Sequence, residues 1–168
     1  MSEQPSSLWG SLFRAKEPWY EEVMSLWART PFFANIPERE IIKLAKVMHP
    51  RKFNAEEFIF RYGDQGAGAA MIISGAVEIS YQGTVLATLQ RGDFFGEIAL
   101  VLDERRTADA VAKEPCEVVF FLRPDLDEWI ARAPQHGARL STNLAHVLAK
   151  RLLHANKMLA DERKRHVG

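Results

Sequence analysis

One cysteine, Cys116, in 168 residues excludes a disulfide framework and any multi-cysteine metal site, and suits a reducing compartment. Charge of either sign is not in surplus. Lys plus Arg and Asp plus Glu number 22 each, so no whole-protein field draws the chain to nucleic acid or an anionic membrane. No apolar run reaches the roughly 18 residues of a membrane span. The opening MSEQPSSLWGSLFRAKEPW lacks the basic start and apolar stretch of a secretory signal. The expectation is a cytoplasmic protein. Its five histidines, His49, His136, His146, His154 and His166, show no paired ligand spacing, and no metal site is expected.

What remains is an ordinary globular balance, 47% hydrophobic and 26% charged, at a length that allows one well-buried core. Periodicity divides it into three zones. Residues 1–50 read as a helical segment. Trp19, Val23, Leu26 and Trp27 recur at threes and fours after Pro18, and Pro31 ends the run. A second helix is predicted from Pro37 to about Met48. Residues 51–122 read as strands, with apolar runs at 58–60, 71–73, 77–81, 85–89 and 118–122 punctuated by glycine turns. From 123 helix returns, a short one closed by Pro134 and a long one from about His136 to Arg165. Along the long helix Leu148, Leu152 and Leu159 lie on a heptad seam suited to a partner helix, predicting a homodimer. The fold class expected is α+β, mainly β: a jelly-roll-like β-roll flanked by N-terminal helices and a long C-terminal helix.

One stretch of the strand zone, Gly92 to Ala108, is no hairpin. After Gly96, the run Glu97-Ile98-Ala99-Leu100-Val101-Leu102 suits a single helical turn. The N–H groups that open such a turn favour an anion. Arg106 adds a permanently charged fork that fits phosphate, with Arg105 beside it. Glu97 among these donors makes sense if the ligand also presents a hydroxyl, as a ribose does. Cradle, arginine and acceptor together suggest a phosphorylated sugar.

This run resembles the phosphate-binding cassette of the cyclic-nucleotide-binding domain family: glycine, glutamate, aliphatic, small, leucine, a spacer, then arginine, serine or threonine, and alanine. Gly96, Glu97, Ile98, Ala99 and Leu100, then Arg106, Thr107 and Ala108, meet that pattern. Phe58-Ile59-Phe60, Gly63-Asp64 and Ile72-Ile73-Ser74-Gly75 match the upstream frame. Two positions depart from it: Ala55-Glu56, where the family usually has a glycine, and Ala70, where an aromatic is common. The resemblance implies that Glu97 accepts the ribose 2′-hydroxyl and that Arg106 pairs with the cyclic phosphate. It further implies that the amides around Ile98 and Ala99 hold the phosphate oxygens and that Thr107 adds a hydroxyl. It makes the long helix a cap over the base, with Arg139, Asn143 or His146 as polar candidates. The ligand implied is cAMP, with cGMP as the alternative, and no cofactor.

The resulting expectation is a sensor that binds a cyclic nucleotide and transmits the event through its C-terminal helix to a protein partner. Transcription factors of this family carry a DNA-binding domain after that helix. The chain stops at Gly168, so direct DNA binding is not expected. Two rivals stand beside this reading. An enzyme of the cupin kind needs a His/Glu cluster inside the barrel, and residues 53–122 hold no histidine, so no enzyme is expected. A scaffold of the same fold that binds nothing and dimerises through the seam is the other.

Overall fold

The computed structural model describes residues 18–167. The part of the expected helical segment that precedes Pro18 lies outside them, as do the side chains of Trp19 and His166. The described chain opens with α1 (Pro18–Trp27), a 3-10 turn (Pro31–Phe33) and α2 (Glu38–Ala45). Five strands follow: β1 (His49–Phe53), β2 (Phe58–Phe60), β3 (Gly68–Ser74), β4 (Val77–Tyr81) and β5 (Thr84–Leu89). Next come β6 (Phe94–Phe95), the one-turn helix α3 (Ile98–Val101), β7 (Asp109–Ala112) and β8 (Cys116–Leu122). Two helices, α4 (Arg123–Arg132) and the 34-residue α5 (Pro134–Val167), complete the chain.

The strands form two four-stranded antiparallel sheets, ordered β1-β8-β3-β6 and β2-β7-β4-β5. The first sheet is covered on both faces. Ala69, Met71 and Ile73 of β3, with Val119 and Phe121 of β8, pack into a core shared with the helices. Their alternates, Ala70, Ile72, Cys116 and Val118, fill the space between the sheets. A strand buried on both sides reads as an unbroken apolar run, which is why GAAMIIS shows no alternation. Within the first sheet β3 and β8 approach closely: a Cβ on Gly68 would lie 2.1 Å from the Phe121 carbonyl oxygen. Only glycine fits there.

The helices cover the first sheet through aromatic contacts. Trp27 is fully buried, stacks on Phe33 at 4.1 Å and meets the edge of Phe121 at 6.1 Å. Trp129 of α4 is buried too. The fold is thus the expected β-roll between N-terminal helices and a long C-terminal helix.

Three strands differ from the expectation. The helix predicted to reach Met48 ends at Ala45, and β1 begins at His49 rather than near Phe53. Pro50 sits inside β1, which is tolerable because β1 is an edge strand and a missing N–H there costs no inner ladder bond. The strand β7, Asp109-Ala-Val-Ala, has two alanines and an aspartate, all poor strand formers; its place between β2 and β4 overrides that preference. The two-residue β6 is too short to give a pattern. Pro134, expected only to close α4, also opens α5, where its fixed φ suits a first helical turn. At Glu56, where the related pattern has glycine, the backbone is indeed left-handed, with φ of 64°.

Candidate functional site

A cavity of about 350 Å³ opens beside α3, a size suited to a small organic ligand. Its carbon walls come from the second sheet and the cassette: Phe60 of β2, Ile79 of β4, Ala87 and Leu89 of β5, and Phe95 of β6. Its polar side is Glu97, the run Glu104 to Thr107, and Arg151 from α5.

Gly96 makes this arrangement possible. Its φ is 72°, a conformation side chains rarely take, and a Cβ there would lie 2.7 Å from Nη1 of Arg106. Freed of that clash, the Arg106 guanidinium sits against the cassette backbone and donates from Nη1 to the Gly96 carbonyl at 3.2 Å. Its Cζ stands 4.1 Å above the Phe60 ring, a cation–π contact that also fixes its orientation. The Arg106 backbone is clamped between Gly63 and Asp64 by two hydrogen bonds of 2.8 Å. Burial pushes the Arg106 pKa down, opposed by the nearby carboxylates Asp64 and Glu97. Its Nε is buried and takes no hydrogen-bond partner among the described residues. A buried donor left unbonded is costly, and the guanidinium that carries it lines the cavity.

Arg105 also lines the cavity, but with a different partner. It is exposed and donates to the Gly63 carbonyl at 2.8 Å. Thr107 is exposed at the cavity and Ala108 half-buried beside it. Ile98 and Ala99 both line the cavity; the Ala99 amide donates back to the Gly96 carbonyl over a long 3.2 Å.

Glu97 is a buried carboxylate, its side chain 6% exposed, and Nη1 of Arg151 lies 2.5 Å from its Oε1. The same guanidinium donates from Nη2 to the Phe94 carbonyl, also at 2.5 Å. Only the carboxylate is buried, the Arg151 side chain being 46% exposed, and the guanidinium fork spans the carboxylate and the carbonyl.

Residues 50–133 match the cyclic nucleotide-binding domain family. This chain belongs to that family. The domain is 33% identical over 102 residues to a cGMP-dependent protein kinase of Caenorhabditis briggsae, covering 57% of this chain and 14% of the kinase. It is 31% identical over 139 residues to a CRP-like cAMP-activated global transcriptional regulator of Mycobacterium tuberculosis, covering 80% of this chain and 60% of the regulator. The chain therefore spans only part of the relatives it matches. Among solved structures, the catabolite activator protein of Thermus thermophilus superposes with a TM-score of 0.68 at 31% identity, over 78% of this chain and 62% of that one. A cyclic nucleotide-binding domain from Methylobacillus flagellatus gives 0.75 at 19% identity, over 86% and 84%, which speaks for the fold.

The domain's cassette residues converge on one cavity; the three polar candidates for a base cap do not. Arg139 and His146 are exposed on other faces of α5. Asn143 is buried, and its side-chain amide donates to the carbonyls of Phe32 at 2.9 Å and Ala34 at 2.8 Å. It ties α5 to the 3-10 turn and does not line the cavity. The α5 residue that does is Arg151, which the sequence reading passed over. Its signal was there: a charge continuing the inward row Leu140, Leu144 and Leu148. Leu152 and Leu159 of the expected seam are exposed, and Leu148 is half-buried against the core. No helix among the described residues is long and apolar enough to cross a membrane.

Proposed function

We propose that the cavity binds a 3′,5′-cyclic nucleotide and that α5 carries the consequence to a protein partner. The observation that carries this reading is the buried, unbonded Nε of Arg106 set beside the carboxylate of Glu97. One group demands an anion and the other a hydroxyl donor, and a cyclic ribose phosphate supplies both. In this reading Arg106 holds the phosphate, Glu97 accepts the 2′-hydroxyl, and Gly96, Ile98 and Ala99 shape the turn against the phosphate. Thr107 and Ala108 close the phosphate end. The carbon surfaces of Ile79, Ala87 and Leu89 receive the base.

cAMP is the favoured ligand, since the cAMP-activated regulator is 31% identical over 80% of this chain, against 28% over the same share for a cGMP-dependent kinase of Eimeria tenella. Thr107, a hydroxyl at the cavity, keeps cGMP as the alternative. The exposed Leu152 and Leu159 support a homodimer along α5. They equally support the second reading, a scaffold that binds nothing and pairs through this helix.

Calorimetric titration with cAMP, cGMP and a cyclic dinucleotide tests the reading. Binding at micromolar strength or better, about −8 kcal/mol, is expected for cAMP. Arg106→Ala is expected to abolish it with the circular dichroism spectrum unchanged. No binding of any nucleotide by the parent chain overturns the sensor in favour of the scaffold.

A further inference from the structure

We propose a second ligand site, in the cleft between α2 and α4, that takes a free α-amino acid with a large apolar side chain. It is independent of the nucleotide reading, because the two cavities share no lining residue.

The cleft measures about 470 Å³, more than the cavity beside α3 and within the range of small-molecule sites. One wall is α2 and the two residues after it, with Glu40, Lys43 and Lys46 spaced by three. The other is α4, with Asp125, Glu128 and Arg132 spaced by three and four. Such spacings put each trio on one helix face. Trp129 and Val47 supply carbon surface. Trp129 is buried, and its Nε1 has no hydrogen-bond partner among the described residues. The indole that carries this unbonded donor lines the cleft.

The charges on the two walls are satisfied locally rather than across the gap. Lys43 turns back to Glu40 on its own helix at 2.8 Å, and Arg132 pairs with Glu128 on its own. Asp125 meets His49 of β1 at 3.3 Å, a contact that is ionic only while the imidazole is protonated. Arg39, 79% exposed, lies 3.9 Å from Glu40, and His136 also acts on that carboxylate. Among the described residues no ion pair joins α2 to α4, and Lys46 has none at all.

The two walls also carry opposite excesses. The α2 wall has two lysines against one carboxylate, and Arg39 adds to the same sign. The α4 wall has two carboxylates against one arginine and keeps that excess while His49 is neutral. A small molecule that bridges the walls is therefore negative at one end and positive at the other. An α-amino acid has that form: its carboxylate goes to Lys46 and its ammonium to Asp125. A cleft of this size leaves room beyond the zwitterion, and the indole of Trp129 and the side chain of Val47 receive an apolar side chain there.

The test is calorimetric titration of the full chain, without nucleotide, with L-phenylalanine, N-acetyl-L-phenylalanine and L-phenylalaninamide. L-Phenylalanine is expected to bind with a Kd below about 1 mM, ordinary for a ligand of its size. The acetylated compound lacks the positive charge and the amide lacks the negative one. Each is expected to bind about tenfold more weakly, the usual worth of one charged hydrogen bond. Lys46→Gln is expected to weaken L-phenylalanine by a similar factor and to leave the amide's affinity unchanged. Asp125→Asn is expected to weaken L-phenylalanine and to leave the acetylated compound's affinity unchanged. Lys46 is exposed, so its variant keeps the test sound even if Asp125→Asn loosens the start of α4. No binding of L-phenylalanine at millimolar concentration overturns the site. Equal affinity for the three compounds overturns the zwitterion, and parent affinity in Lys46→Gln overturns the placement between α2 and α4.

Discussion

The two halves of α5 are held in place by different forces. From Pro134 to Leu148 the helix lies on the domain: Leu140 is 1% exposed, Leu144 and Asn143 are buried, and Gly137 fits so close to Ile130 that a Cβ would approach it to 2.8 Å. From Leu152 to Arg165 every residue is exposed. Packing dictates the first half. The second holds its helical form on local grounds, because Leu, Ala, Lys, Arg, Met and Glu dominate it and no glycine or proline interrupts it. Arg163, Lys164 and Arg165 near its end suit the helix dipole. The same helix can thus be a structural wall at one end and a free surface at the other, and Arg151 marks the border.

Substitutions break that comparison in a definite order. Leu140→Ala removes a fully buried side chain between α5 and the core, and is expected to cost about 2–5 kcal/mol by urea unfolding. Asn143→Ala leaves the Phe32 and Ala34 carbonyls without their donor, with an expected loss of about 1–3 kcal/mol. Leu152→Ala and Leu159→Ala lie on the bare half and are expected to change the stability of the single chain by less than about 0.5 kcal/mol. Sedimentation of those two variants sharpens the contrast. If the bare half joins two copies, they shift the chain toward monomer while the unfolding midpoint measured at high dilution stays put. A loss from Leu159→Ala as large as that from Leu140→Ala would erase the distinction between the halves.

The sequence made the fold legible wherever burial was one-sided or turns were marked. The strands at 77–81 and 58–60 fall at their expected bounds, and the helical turn after Gly96 is where the glycine and the apolar run put it. It was less informative where a neighbour decides the outcome. His49-Pro50-Arg51-Lys52 carries no strand pattern and becomes one by pairing with β8; Asp109 to Ala112 does so between two other strands. The cassette was visible because its residues are close in sequence and chemically distinctive. Arg151 was marked only by its place after Leu140, Leu144 and Leu148, since its partners Phe94 and Glu97 lie more than fifty residues earlier and only the folded helix brings them together. For Asn143 the family resemblance misled: it offered the residue as a cap over the base, yet the carbonyls of a nearby turn claim its amide.

The length of α5 gives the anchor at Asn143 one more consequence. At about 1.5 Å per residue, the far end of the helix stands about 36 Å beyond that hydrogen-bonded asparagine. The helix is then a lever with a short arm at the cavity and a long arm outside. Arg151 lies about 12 Å from the pivot, so a displacement of about 1 Å at the guanidinium becomes about 3 Å at the tip. If α5 transmits ligand binding as proposed above, a small adjustment at the cavity would reach the bare end magnified.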